Sequence, residues 1–349
     1  MDKIKVMVVD DSAIVRRAFS MIIESSNIME NFVIAQNPII AVQKINSLGY
    51  PDVLILDLEM PEMDGLTFLK QIMEANPLPV IVCSVYAGKG NDTAMEALEM
   101  GAIDIIEKPK FGVSGFIQDS EEEIIRAIEA ASKFQKGSFL NYFSKLSKIK
   151  KPTPIVRSDT SFSKVSKIAV IGSSTGGVKV LETIIQNLSG DIPPVLIVQH
   201  MPVGFTKSLA NRLNKFSNYT IKEANNEEIL YNNTIYIAPG GMHMSLEKRN
   251  QSLRIITFNA PKINHHRPSV DILFNSAAEN MNKNVIGIIL TGMGNDGAKG
   301  LKEISDKGGN TFAQNEESCA VYGMPKEAID LGAVKEILDP VAIAKKIKI

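Results

Sequence analysis

The sequence predicts two α/β domains in tandem, each built on a mostly parallel sheet. Short runs of Val and Ile alternate with amphipathic stretches in both halves, the pattern of strands covered on both faces. The alternation breaks over residues 136–164, a stretch rich in Ser and Lys with Pro152 and Pro154 close together. Such a segment reads as a linker. A chain of 349 residues is also long for one hydrophobic core and suits two. The predicted domains are therefore 1–135 and 165–349.

In the first domain, strands are predicted over 5–9, 32–35, 53–56, 80–83 and 103–106. Helices over 13–24, 39–48, 66–75 and 93–100 separate them. A fifth helix over 121–133 opens with Glu121, Glu122 and Glu123, which suit the positive end of its dipole. In the linker, Phe139, Leu140, Tyr142, Phe143 and Leu146 allow a short docking helix. The cluster Lys145, Lys148, Lys150 and Lys151 reads as a solvated basic face. The second domain resumes with a strand over 167–171, a helix over 177–188, a strand over 195–199 and a helix over 205–216. Its middle is more strand-like, over 219–223, 234–238, 242–246 and 253–258, and predicts a small antiparallel excursion. A helix over 269–280, a strand over 285–290, a helix over 298–306 and a strand over 310–313 restore the alternation.

The bulk properties exclude several classes. A formal net charge of −1 gives no general pull toward nucleic acid, and no recognition helix or aromatic platform accompanies the basic linker. No apolar run approaches the ~20 residues of a membrane span. The opening Met1-Asp2-Lys3-Ile4-Lys5 leads directly into apolar residues 6–9, so neither a secretory signal nor membrane insertion is expected. Cys83 and Cys319 are the sole cysteines, which excludes a disulfide framework and suits a reducing cytosol.

Two groups of polar residues fall at predicted strand ends, where sites in parallel sheets gather. The front group is Asp10, Asp11, Asp57, Ser84 and Lys108. Clustered carboxylates repel one another unless a hard cation joins them, and Mg²⁺ suits such oxygen ligands. Asp57 is then placed to take a phosphoryl group, with Lys108 to neutralise the added charge and Ser84 to bond a phosphoryl oxygen. Taken singly, Asp11 or Ser12 reads as a helix cap, Lys108 as a surface lysine and Ser84 as a turn residue.

The rear group is Ser174, His200 and Asp296. Ser174 lies in Gly172-Ser173-Ser174-Thr175-Gly176-Gly177, an uncrowded strand-to-helix corner with helix N–H groups nearby to stabilise an oxyanion. A serine needs an adjacent base, and His200 at the end of the next strand supplies one. Asp296, in a second Gly-rich turn, is placed to orient the imidazole. The order Ser, His, Asp differs from those of chymotrypsin, subtilisin and the usual α/β-hydrolases. Alternatives stay open: Ser174 and Thr175 as caps or a phosphate cradle, Asp296 as the cap of the helix near Ala298, and His243, His265 or His266 as the base. The pair His265-His266 reads as structural or substrate-lining, and Cys319 as a buried thiol.

The first domain resembles a response-regulator receiver through Val8-Val9-Asp10-Asp11-Ser12, Leu56-Asp57-Leu58-Glu59-Met60-Pro61 and Glu107-Lys108-Pro109. The resemblance implies a flavodoxin-like sheet of five parallel strands, Mg²⁺ at Asp10, Asp11 and Asp57, and phosphorylation of Asp57 by a histidine kinase. The fifth strand carries Ile105 and Ile106 where the family uses an aromatic residue. The second domain resembles the chemotaxis methylesterase (CheB) family. The shared motifs include the Ser174 corner, Gln199-His200-Met201-Pro202, Ala238-Pro239-Gly240-Gly241, His266-Arg267-Pro268-Ser269-Val270-Asp271 and Thr291-Gly292-Met293-Gly294. Gln314 and Tyr322-Gly323-Met324-Pro325-Lys326 complete the set. Asn295 stands where relatives often carry a small residue.

That resemblance implies a Ser-His-Asp protein-glutamate methylesterase acting on chemoreceptors. It also implies deamidation of receptor glutamines, a catalytic cleft blocked by the unphosphorylated receiver, and no cofactor for hydrolysis. Backbone N–H groups near Thr175 and Met293 are the expected oxyanion donors.

Overall fold

The computed structural model describes residues 3–84, 89–108, 113–133, 165–215, 217–250 and 252–349. The predicted linker, with its apolar cluster and lysines, lies outside these residues. The chain separates into two compact units, Met1–Lys145 and Leu146–Ile349.

The first unit alternates β1 (Ile4–Val9), α1 (Ala13–Ser25), β2 (Met29–Ala35), α2 (Pro38–Leu48), β3 (Val53–Asp57) and α3 (Gly65–Ala75). It continues with β4 (Val80–Ser84), α4 (Lys89–Met100), β5 (Asp104–Glu107) and α5 (Val113–Ser132). The five strands are parallel, in the order β2-β1-β3-β4-β5, the expected flavodoxin-like order. Val6, Met7, Val8 and Val9 are fully buried, each contributing about 1.5–3 kcal/mol. Apolar burial therefore sets the sheet, and the charged groups ride on its ends. Side chains start the helices: Ser12 accepts from Val15 N, Asn37 from Ile40 N and Asp64 from Thr67 N. Ser12, not Asp11, is thus the cap of α1.

Gly65 opens α3 against the end of β3. A Cβ there would lie 2.1 Å from Asp57 O and 2.6 Å from Leu58 Cα, both backbone atoms that cannot step aside alone. Gly65→Ala is expected to cost roughly 1–3 kcal/mol as an overpacking change. A chemical denaturation midpoint equal to that of the parent chain would contradict this.

The second unit begins with β6 (Ile168–Ser173), α6 (Gly177–Asn187), β7 (Val195–Gln199), α7 (Phe205–Lys215) and β8 (Thr220–Glu223). Short β9 (Glu228–Ile229), β10 (Thr234–Ile237), β11 (His243–Arg249) and β12 (Ser252–Phe258) follow. The chain then forms α8 (Val270–Met281), β13 (Val285–Ile289), α9 (Ala298–Asp306) and β14 (Asn310–Gln314). It ends with α10 (Met324–Asp330), β15 (Glu336–Leu338) and α11 (Pro340–Ala344). Seven strands form a parallel sheet in the order β15-β14-β13-β6-β7-β10-β8.

The predicted antiparallel excursion is a separate three-stranded sheet, β11-β12-β9. Strands β8 and β10, predicted in the same region, are parallel members of the main sheet. The small sheet shares one core with α8: Met244, Leu246 and Ile255 are buried with Leu273, Phe274 and Ala277. In the main sheet the chain first works outward from β6 through β7 and later returns on its other side through β13. The order therefore reverses between β6 and β13, and the crevice outside the carboxyl ends at such a point is where ligands bind.

Candidate active site and a second, acidic site

At the carboxyl end of the first sheet, Asp10 follows β1, Asp57 and Ser84 end β3 and β4, and Lys108 follows β5. Asp10, Asp57 and Ser84 are buried and Asp11 is exposed. Lys108 Nζ lies 2.6 Å from Asp57 Oδ2 and 3.2 Å from Asp10 Oδ2. Beyond Lys108 those two buried oxygens have no hydrogen-bond partner among the described residues. The other oxygens are occupied: Ser12 N donates to Asp10 Oδ1 and Glu59 N to Asp57 Oδ1. Arg16 donates to the carbonyls of both Asp10 and Asp11 and holds that loop.

Burial pushes the Asp57 carboxyl up to about 6, with the Asp10 charge adding to the effect and Lys108 opposing it. Asp10 is raised chiefly by burial too. Burial would lower Lys108, but the paired carboxylates outweigh it and raise its pKa. Asp10, Asp11 and Asp57 each bring an oxygen within 4.8 Å of the others. An all-oxygen, anionic set with spare buried lone pairs fits a hard divalent cation.

In the second unit, Ser174, His200 and Asp296 follow β6, β7 and β13, three adjacent strands. The backbone ties these ends together. Ser174 N donates to Thr291 O at 3.0 Å, and His200 N to Ser173 O at 3.0 Å. Gln199 Nε2 donates to both Ser174 O and His200 O. Gly176 caps α6 at φ 76°, and a Cβ there would lie 2.1 Å from Ala320 Cβ. Only glycine meets both conditions and lets the 319–324 segment close over the corner. Thr175 is buried beside Ser174, and Met293 is half-buried in the turn after β13.

His200 Nε2 lies 2.9 Å from Asp296 Oδ2. Asp296 is almost fully buried and its carboxylate is heavily solvated by protein. Oδ2 also accepts from Val270 N at 2.7 Å. Oδ1 accepts from Asn264 Nδ2, Ser269 Oγ and Asp271 N at 2.9, 2.8 and 3.2 Å. Burial alone would raise its pKa. The hydrogen bond and charge of His200, with Asn264 and Val270 N, instead hold it far below the usual carboxylate range. The acceptor is thus ionised, so Nε2 carries a ring proton, and whenever the ring is neutral Nδ1 holds the lone pair. Nδ1 is buried and has no hydrogen-bond partner among the described residues, so the Ser174 hydroxyl does not bond the ring in this state. Catalytic hydrogen bonds often tighten only when substrate binds.

Asp296 does not cap the helix after it, where Gly297 stands; it accepts from the first N–H groups of α8 instead. His243 is fully buried with both ring nitrogens engaged, Nε2 with Pro261 O and Nδ1 with Ser269 N. The Cys319 thiol is buried, and burial pushes its pKa far up, which removes the thiolate a nucleophile needs.

His266 lies flat against the His200 ring, with centroids 3.6 Å apart. Its contact with His200, and those of Asn264 and Ser269 with Asp296, were outside the predicted site. The motif running from His266 to Asp271 was the available signal, but it gives no hint of which partner lies across the fold.

Residues 169–347 match the family model described as CheB methylesterase, and residues 6–112 match the response regulator receiver domain. The protein-glutamate methylesterase/protein-glutamine glutaminase 2 of Chromobacterium violaceum is 43% identical over 357 residues, covering 99% of each chain. The corresponding enzyme 3 of Leptospira interrogans is 46% identical over 341 residues, covering 96% of each. The crystal structure of the Thermotoga maritima CheB methylesterase catalytic domain is 44% identical with a TM-score of 0.51. That likeness covers 52% of this chain and 97% of the other.

Proposed function

The chain belongs to the CheB methylesterase family and carries a response regulator receiver domain, and we propose that its hydrolytic centre is Ser174, His200 and Asp296. The reaction is hydrolysis of glutamate γ-methyl esters, with glutamine deamidation by the same acyl chemistry; chemoreceptors are the substrates. The observation that carries this assignment is the hydrogen bond between His200 Nε2 and the depressed Asp296 carboxylate, beside a serine at a Gly-rich corner.

In this mechanism Ser174 Oγ attacks the γ-carbonyl carbon while His200 Nδ1 takes its proton. Asp296 holds the tautomer and balances the imidazolium. N–H groups of Thr175 and Met293 receive the oxyanion. Collapse expels methanol, or ammonia from glutamine, with the proton returned from His200. A water deprotonated by His200 then attacks the acyl-serine, and free glutamate leaves.

In the receiver, Asp57 is the proposed phosphoryl acceptor and a histidine kinase the donor. Asp10, Asp11 and Asp57 would hold Mg²⁺, which when bound offsets the negative charge of carboxylates and phosphoryl oxygens. Lys108 neutralises the aspartyl phosphate and Ser84 bonds one of its oxygens. The unphosphorylated receiver restrains hydrolysis in the cytoplasm until the kinase acts. Moving the competent fraction from about 10% to about 90% needs only ~2.6 kcal/mol of differential stabilisation.

Methanol release from methylated chemoreceptor membranes tests both halves. Release is expected to rise roughly ninefold with a small-molecule phosphodonor and Mg²⁺. Asp57→Asn, or removal of Mg²⁺ with EDTA, is expected to abolish that rise. No release from folded protein under any condition would overturn the esterase reading. A rise that survived Asp57→Asn would overturn the receiver's part.

A further inference from the structure

The segment between β12 and α8 reaches both members of the His200–Asp296 pair. Ile263 and His266 exchange backbone hydrogen bonds of 3.0 and 2.9 Å and close a tight turn. Its two central residues are left-handed, Asn264 at φ 50° and His265 at φ 69°. Asn tolerates that region, whereas a turn of this kind usually places Gly second. Asn and His are both enriched at such angles among non-glycine residues, so the turn forms without the glycine.

Two side chains gain from this geometry. Asn264 Nδ2 bridges Asp296 Oδ1 at 2.9 Å and Asp271 Oδ2 at 2.8 Å. His266 is laid on the face of His200, with centroids 3.6 Å apart and planes 8° from parallel. Two neutral rings favour offset or edge-to-face contacts over a close sandwich, so ring packing alone does not account for this stack. A neutral ring face opposite an imidazole that becomes positive is different, because that contact is attractive.

We propose that His266 is a positioning residue for His200, an inference that rests on the Ser174, His200 and Asp296 assignment. Among the described residues the His200 ring has one hydrogen bond, at Nε2, and a single attachment does not by itself stop the ring from swinging. Turning it over by 180° would present Cε1 to Asp296 and break that bond. The flat contact with His266 blocks the swing, keeps Nε2 on Asp296 and leaves Nδ1 open for the serine proton. As His200 gains charge during attack, the same face stabilises it more than in the resting state, which is the requirement for faster chemistry.

The test is the rate at which a fluorophosphonate labels Ser174 in the full chain, alongside kcat and KM for methanol release. His266→Ala is expected to slow labelling roughly 10- to 100-fold, the scale of a misplaced catalytic group. It should lower kcat with little change in KM. His266→Phe keeps a ring face without titratable nitrogens and is expected to restore most of both rates. Circular dichroism and thermal melting of each variant separate this from misfolding.

Wild-type labelling in His266→Ala, with none in Ser174→Ala, would overturn the proposal alone. Folded His266→Phe as slow as the alanine variant would also overturn it. Labelling that persists in Ser174→Ala would overturn the underlying site assignment instead.

Discussion

Ser174→Ala is expected to lower methyl ester hydrolysis by roughly 10⁶-fold, the scale seen when a serine hydrolase loses its nucleophile. The fold has little reason to respond. Ser174 is held through its backbone, by Thr291 O, Gly177 N and Gln199 Nε2, and none of those bonds uses the hydroxyl. Loss of one hydroxyl at such a position is expected to shift stability by less than about 0.5 kcal/mol. A rate measurement and a thermal melt on the same sample therefore discriminate: activity should vanish and the melt should stay. The residual rate would reflect oxyanion donors and binding alone. Retention of even one part in a hundred of the parent rate would mean that another group attacks the ester. Cys319 is a poor candidate for that role, since burial keeps its thiol protonated.

The parts of this molecule that were readable from sequence share a physical cause. Strands such as β1, β3 and β13 are buried on both faces over most of their length and appear as short, largely aliphatic runs over residues 6–9, 53–56 and 285–289. Polar residues interrupting those runs at their carboxyl ends, Asp10, Asp57 and His200, stand out against them. Strand β9 has two residues and β15 has three, mostly exposed, so neither carries a period. Helices α10 and α11, of seven and five residues, are too short for a convincing apolar stripe.

The antiparallel excursion was legible from its strands, but its separation from the main sheet was not, because alternation reports a face and not a partner. The turn at Asn264 and His265 was opaque for another reason. Its value lies in contacts with Asp296, 32 positions away, and with His200. A local pattern records neither.

Asp296→Asn should be the second most damaging change, lowering kcat by about 10⁴-fold while also weakening the fold. The amide must turn its NH₂ toward one of two crowded sides. Facing the Oδ1 side, it would meet Asn264 Nδ2, Ser269 Oγ and Asp271 N; facing the Oδ2 side, it would meet Val270 N and His200 Nε2. The second choice leaves fewer donors opposed, because His200 can move its proton to Nδ1. That move makes Nε2 an acceptor for the amide and removes the lone pair that receives the serine proton.

Val270 N, buried at the start of α8, would then face a donor, at a cost of about 1–3 kcal/mol. Acid titration gives an independent check. A carboxyl depressed in the folded state contributes stability in full above its unfolded value, near 3.8, and loses it as the pH falls toward the folded value. The parent chain should therefore lose this contribution below about pH 4, and Asp296→Asn should lack that component. Near-parental kcat in the variant, or an unchanged acid limb of stability, would show that Asp296 does not orient His200.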